Sequence, residues 1–235
     1  MVSTLDSVPV AAPPTGRRLR DEYVAAVGAL TFGLVRFDGD VLRLGPLDLL
    51  RFGAPRIGQA AVEWPITGGL LSRRPGGTLR IAAHDGRVDA SLAGWTPSLP
   101  LPIYRLTQLQ VHLLFTRLYL LRVRGREPAP GRRATRQARI DAAAVDAAFC
   151  LTLAGLIGRR RLRRVVAIAA IYHVACWSMG GQTLGGLVMR QRVVAVDGSR
   201  LTPAQALLRF ALLPLAWLTR RPVHDELAAS DVISD

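Results

Sequence analysis

The side chains in this sequence that could do chemistry are few and scattered. Asp141 and Asp146 open an apolar run, Ile140–Gly158. An ionised carboxylate in hydrocarbon costs at least ~2–3 kcal/mol, so both should face a bundle interior or a polar boundary. They could cap the helix, pair with a nearby Arg, or form part of an ion or proton path. His173 and Cys176 lie three apart and share a helix face. They offer two ligands where a tetrahedral zinc site needs more, so core packing is their plainer use. His224-Asp225 could exchange protons near neutrality, or could hold the tail beside Arg221. Glu63 and Trp64 precede Pro65 and could line a cavity, although a Trp at a strand end is more often core. No nucleophile–base spacing, metal set or cofactor loop is visible, so the chain is expected to be non-catalytic, with no metal and no cofactor.

Charge narrows the partners. The 235 residues carry 31 basic and 17 acidic side chains, net +14, and every basic one is Arg. The Arg clusters flank apolar segments instead of forming one basic face, which argues against nucleic acid. Two Cys cannot build a disulfide scaffold. Richness in Ala, Leu, Gly and Arg suggests a GC-rich bacterial coding sequence. No signal-peptide pattern is read at the N-terminus.

The elements that must position these residues divide near residue 130. Residues 1–18, with Pro9, Pro13, Pro14 and Gly16, read as a flexible arm. Residues 19–125 read as a β-rich domain. Leu30–Phe37 and Val41–Leu44 form a hairpin about Asp38-Gly39-Asp40. Further strands are expected at Leu47–Phe52, Ala61–Ile66, Thr78–Ala83 and Val88–Leu92, the last two joined at Asp85-Gly86. From Pro102 to Arg122 the period becomes helical, with Arg105, Gln108, His112 and Thr116 on a polar stripe. That amphipathic helix should cover the sheet or lie against a membrane surface. Residues 126–136 are a basic, Pro/Gly-rich linker.

Residues 137–235 differ in kind. Val165–Met189 contains no charged residue apart from the neutral His173, and its helical part is long enough to approach the ~20 residues that cross a bilayer. Ile140–Gly158 and Ala204–Leu218 are weaker, the second interrupted by Arg209 and Pro214. Helices are expected over 140–158, 165–181 and 203–219. Arg132, Arg133, Arg136 and Arg139, then Arg159–Arg161, Arg163 and Arg164, then Arg220 and Arg221 bracket these segments. Arg at helix ends extends to lipid headgroups. A water-soluble three-helix bundle with basic loops is the competing reading.

The motifs in this half resemble the RDD family of small membrane modules. Arg132-Arg133-Ala-Thr-Arg136-Gln-Ala-Arg139-Ile-Asp141 is similar to the family's Arg-rich approach and its Ile-Asp step. Gly181-Gln-Thr183-Leu-Gly185 matches a Gly-x-Thr-x-Gly turn, followed by Arg192-Val193-Val194 and an Asp197-Gly198 turn. Arg221-Pro-Val-His224-Asp225-Glu-Leu227-Ala228 is similar to the closing His-Asp-x-x-Ala. Leu184 and Gly186 stand where the family usually carries Pro and Lys, and Ala229 where it carries Gly. The resemblance implies a multi-spanning membrane protein without a settled activity, and it marks Arg139, Asp141, Asp146, Gly181, Thr183, Gly185, Asp197, His224 and Asp225 as candidate functional residues.

The resulting expectation is an α+β chain: a β-rich domain with a covering amphipathic helix, then a membrane module of about three helices. It would be a multi-pass protein of the bacterial inner membrane, acting in transport or in organising a partner. The Arg distribution favours a cytosolic N-terminal domain. Its partners would be the lipid bilayer and an ion or small solute, and an oligomer is compatible with this. The alternative is a soluble or peripheral ligand-binding protein with a C-terminal helical bundle. Asp141 and Asp225 are expected to pair locally, Asp225 with Arg221. If the two ends of the module met instead, the third segment would have to be re-entrant or interfacial.

Overall fold

The computed structural model describes residues 2–125, 131–157 and 162–234; residues 126–130 of the expected linker and the Arg159–Arg161 cluster lie outside the described residues. The chain forms two compact units, Met1–Gly125 and Arg126–Asp235.

Alternation builds the first unit. Its strands are β1 (Val2–Pro9), β2 (Val35–Asp38), β3 (Val41–Leu44), β4 (Leu47–Phe52), β5 (Arg56–Ile57), β6 (Ala61–Gly68), β7 (Thr78–His84) and β8 (Arg87–Trp95). They pair antiparallel in the order β1-β8-β7-β6-β4-β3-β2, with β5 on β6. Val62, Trp64 and Ile66 of β6, Leu79 and Ile81 of β7, and Val88, Ala90 and Leu92 of β8 are all buried, so one face of the sheet is the core. The opposite face carries polar pairs such as Glu63–Arg80, 3.1 Å apart on facing strands. Asp85 and Gly86 both adopt positive φ, 47° and 70°, as a two-residue hairpin turn of the primed type requires.

The expected N-terminal arm is a correction. Residues 2–9 form the edge strand β1 along β8, from Val2 opposite Trp95 to Pro9 opposite Arg87. Residues Gly16–Leu30 form helix α1. Thr15 caps it, its hydroxyl accepting from the Arg18 N–H at 3.3 Å. Leu19, Tyr23, Ala26 and Val27 fall on one buried face. Leu30 therefore belongs to a helix end and not to the expected strand. Tyr23 meets Trp64 at 5.3 Å, Tyr119 at 5.1 Å, Phe115 at 5.7 Å and Phe37 at 6.1 Å between ring centroids. Trp64 is thus a core residue.

The expected helix over 102–122 is two: α2 (Leu101–Leu106) and α3 (Gln108–Arg124). Thr107 breaks them, with φ −121° and ψ −83°, its hydroxyl donating to the Ile103 carbonyl at 2.7 Å. The break also dissolves the polar stripe. Arg105 is exposed, whereas Thr116 is buried. His112 faces the Thr4 hydroxyl at 3.2 Å. Helix α3 packs on β1, β8 and α1, which makes it a cover for the sheet.

The second unit contains β9 (Arg132–Arg133), α4 (Arg136–Leu156), α5 (Leu162–Met179), α6 (Leu184–Val188), β10 (Gln191–Ala195), α7 (Pro203–Ala211), α8 (Leu213–Thr219), α9 (Val223–Leu227) and β11 (Ser230–Ser234). Thr135, Thr183 and Thr202 cap α4, α6 and α7. A small antiparallel sheet, β10-β11-β9, closes the unit. Helix α4 packs against α5 and α6, α5 against α7, and α9 against α7 and α8.

The chain is α+β, but its helical half differs from three regular spans. The third expected helix breaks at Leu212, one residue before the Leu213-Pro214 start of α8. Its two pieces have 9 and 7 residues. At ~1.5 Å rise per residue neither approaches the ~30 Å of a hydrocarbon layer. Helix α4 has 21 residues but carries Arg136, Arg139, Asp141 and Asp146. Among the described residues, α5 is the one helix both long and apolar enough to cross a membrane.

Candidate functional site

Two of the three buried carboxylates among the described residues, Asp225 and Asp146, organise the helical unit; the third is Asp231. The first is Asp225, on α9 and 3% exposed. One of its oxygens accepts from the Arg139 guanidinium of α4, the other from the Arg209 guanidinium of α7. Arg209 also donates to the Ser230 hydroxyl at 2.6 Å, and that hydroxyl lies 3.3 Å from the Asp225 carboxylate. The Arg209 guanidinium stacks over the Trp177 ring of α5, 4.9 Å from its centre. Burial alone would raise the Asp225 carboxyl, but Arg209 and Arg139 outweigh it and hold the group below the usual range. His224 is pushed down to about 4, first by burial and further by the Arg209 and Arg139 charges. It is neutral near pH 7, as its position as acceptor from Arg139, 3.3 Å away, requires.

This overturns the expected local pair between Asp225 and Arg221. Arg221 is exposed and has no hydrogen-bond or ion-pair partner among the described residues. Asp225 reaches instead across the unit to Arg139, 86 positions away in sequence. The two ends of the helical unit do meet. The broken third segment, α7 and α8, is what permits it. Asp141 pairs as expected, within its own approach segment, accepting from the Gln137 amide at 2.9 Å.

Residues 164–227 match the RDD family. The helical unit carries an RDD segment. The match includes Arg209, His224 and Asp225, while Arg139, which completes their cluster, precedes it. No curated protein matches the chain.

The second buried carboxylate, Asp146 of α4, ties this RDD segment to the helix before it. It accepts from the Tyr172 hydroxyl of α5 at 2.8 Å and from the Gly185 N–H of α6 at 2.8 Å. Tyr172 in turn accepts from the Leu184 N–H at 2.7 Å. His173 donates through Nδ1 to the Ala169 carbonyl at 2.8 Å, and its Nε2 stands 3.8 Å from Asp146. His173 and Cys176 are part of α5, and among the described residues they join no group of three potential metal ligands.

The Gly-x-Thr-x-Gly turn makes this contact. Gly181 has φ 76°, and a Cβ there would stand 2.9 Å from the Val193 carbonyl oxygen. At Gly185 a Cβ would collide with the Ala142 backbone, so only glycine lets α6 sit against α4. The Thr183 hydroxyl accepts from the Gly186 N–H at 3.1 Å. Asp197 shapes the turn after β10, accepting from the Ser199 N–H at 3.1 Å and hydroxyl at 2.6 Å.

An open-sided cavity of about 850 Å³ lies within this unit. Asp146, His173, Trp177, Gly181, Thr183 and His224 are among the side chains and backbone that line it, as are Arg139 and Arg209. It thus gathers six of the nine candidate residues named from sequence: Arg139, Asp146, Gly181, Thr183 and His224 on its wall, and Asp225 in contact with two wall residues. Asp141, Gly185 and Asp197 are not on its lining. Sequence reasoning passed over Arg209, Gln205, Ser230 and Tyr172. Gln205 is fully buried, completing a capping box with Thr202 and donating to the Ala228 carbonyl at 3.1 Å. Arg209, read as an interruption of an apolar run, carried the available signal, since a lone cation there needs a buried anion.

Proposed function

We propose that the helical unit is embedded in the bacterial plasma membrane and works without catalysis, as the solute-binding part of a transport module. The observation that carries this reading is helix α5. Among the described residues it is the one helix both long and apolar enough to cross a membrane, yet Trp177 is its one buried residue. A core helix of a soluble protein would bury such a face. Here Val166, Ile171 and Met179 point outward while Asp225, Arg209 and Asp146 are inside. Lipid around the unit would make both facts favourable, since ions in a bilayer belong in the bundle interior.

In this reading α5 crosses the bilayer with α4 packed beside it, Asp146 of α4 turned to the interior, and the short α7 and α8 enter it without crossing, packed against protein as irregular segments must be. The sheet unit lies on the cytosolic side. The bilayer and a small solute are the partners, nucleic acid is not, and an oligomer is compatible with the exposed apolar faces. The runner-up, a peripheral ligand-binding protein, separates by extraction. The wild-type chain should stay with membranes in high salt and in alkali. Ala169→Arg, near the middle of α5, should lower the membrane-inserted yield, by about 2.5–3.5 kcal/mol of insertion free energy. Release of the wild-type chain by alkali, or unchanged insertion of the variant, contradicts the reading.

A further inference from the structure

The cavity has a sign. Its wall includes Arg136, Arg139, Arg192, Arg209, Arg220 and Arg221. Among the described residues Asp146 is its one acidic lining residue. The acids that could have made a cation path are already engaged. Asp225 is shared by two guanidiniums, and one oxygen of Asp146 takes both the Tyr172 hydroxyl and the Gly185 N–H. Around Asp225, Arg139 and Arg209 share that carboxylate and the buried Asp231 also acts on Arg209, so the unbalanced positive charge of the cavity lies with the arginines at its rim. At the rim, Arg136, Arg220 and Arg221 are exposed and have no hydrogen-bond or ion-pair partner among the described residues. Deeper in, Arg209 is 3% exposed, and its Nε–H has no acceptor among the described residues. A buried charged donor of that kind calls for an acceptor.

We propose that this cavity binds a phosphate-bearing anion, gripped at the rim by Arg136, Arg220 and Arg221 and met deeper in by Arg209. Several planar guanidinium forks converging on one space match the oxygens of a phosphate, which can take paired N–H···O bonds from more than one Arg. Part of the wall is apolar, including Ile140, Leu213, Ala216 and Trp217. A phosphate joined to an apolar body therefore fits as well as a free one. The shared chemistry is the phosphate, and its source is either a soluble ion or the headgroup of an anionic lipid. The proposal deepens the solute-binding reading of the same unit and rests on it.

The test uses the full chain in nanodiscs of phosphatidylcholine. Inorganic phosphate is titrated while the fluorescence of the protein's tryptophans is followed, two of which, Trp177 and Trp217, line the cavity. A second arm measures retention of phosphatidylglycerol by protein purified from mixed vesicles of the two lipids. Saturable phosphate binding supports a soluble anion. Selective retention of phosphatidylglycerol without phosphate binding supports the lipid source. In either arm the triple variant Arg136→Gln, Arg220→Gln, Arg221→Gln should weaken binding by on the order of 10-fold or more, and the corresponding Lys variant by less. If the triple variant does not fold, protection of the wild type against arginine modification by phenylglyoxal replaces it, with inorganic phosphate expected to slow the reaction. No binding in both arms, an unchanged affinity in a folded triple Gln variant, or no protection overturns the proposal. Alkali extraction separates the two claims. A chain released by alkali that still binds phosphate breaks the membrane reading alone, and a retained chain that binds neither probe breaks the site alone.

Discussion

Ile81 and Ile171 are the same side chain in opposite surroundings. Ile81, in β7, is 0% exposed beneath α1; Ile171, in α5, is 72% exposed. The ions are reversed as well. Glu63 and Arg80 pair on the open face of the sheet, whereas Asp225, Arg209 and Arg139 meet inside the helical unit. Strands β6, β7 and β8 follow the rule for water, with apolar residues in and charge out, although Phe32, Leu34 and Leu106 elsewhere in the sheet unit are exposed. Around α5 the helical unit inverts that rule, although Val193, Val194, Leu201 and Ala206 still form an apolar interior there. One chain thus holds two solvents' worth of patterning, and the inversion, more than the hydropathy of any single helix, argues for lipid around α5.

Removing a charge should separate the units most strongly. Asp225→Ala leaves two guanidiniums facing each other without their anion. Breaking a buried pair in this way costs about 3–5 kcal/mol. Glu63→Ala removes an exposed partner worth about 0–1 kcal/mol. Thermal unfolding in detergent should therefore show a large loss for Asp225→Ala and almost none for Glu63→Ala. Comparable losses would mean that the Asp225 cluster is not buried as described.

Truncating the two isoleucines comes next. Ile81→Ala should cost about 2–5 kcal/mol, because a filled core position becomes a cavity. Ile171→Ala should stay within about 0.5 kcal/mol in detergent, since its side chain packs on nothing inside the unit. Denaturant or thermal titration of both variants checks this contrast, and a costly Ile171→Ala would place α5 in a protein core.

Acid gives a smaller handle on the helical unit. His224 is held down to about 4, against an ordinary value near 6.5, by burial and by Arg209 and Arg139. Its neutral form is the folded one, so its contribution is complete above pH ~6.5 and falls as pH drops towards 4. In the sheet unit the exposed His84 shifts the other way, raised by its hydrogen bonds to Asp89 and Asp85. Its contribution is present below its unfolded value and lost as pH rises through the folded one, which offsets part of the same acid effect of His112, lowered to about 4 by burial. Differential scanning fluorimetry at pH 7.5 and 5, each within about 0.5 units, should show a smaller acid-induced drop for His224→Gln than for wild type. An identical drop would remove His224 from the account.

What was legible in the sequence follows the range of each interaction. Strands β6, β7 and β8 show in the alternation of Val62, Trp64 and Ile66, of Leu79 and Ile81, and of Val88, Ala90 and Leu92, because burial of one sheet face has period two. The turn glycines and the Thr caps are local and equally readable. Helix α1 was hidden by the surrounding Pro and Arg residues, although Thr15 followed by Leu19, Tyr23, Ala26 and Val27 carries its signature. Strand β1 was hidden because an edge strand gains its order from a partner about 80 residues away, with Val8 opposite Val88. Strand β11 likewise depends on β10 and β9. The Asp225 cluster could be named in its parts, Arg139 and Asp225, but their meeting stood only as the alternative to a local pair. No spacing rule links α4 to α9, and Arg209 looked like a flaw in an apolar segment until its anion was in place.

The inversion itself can be measured at two exposed apolar positions, Leu5 in the sheet unit at 68% and Ile171 at 72%. In a background with Cys150→Ala and Cys176→Ala, Leu5→Cys and Ile171→Cys would be treated in opened membrane vesicles with a charged, water-soluble maleimide. Thiolate reacts only where water reaches it. The account predicts rapid labelling at position 5 and none at position 171 until the membrane is dissolved and the protein denatured. Equal labelling at both positions in intact membranes would contradict it.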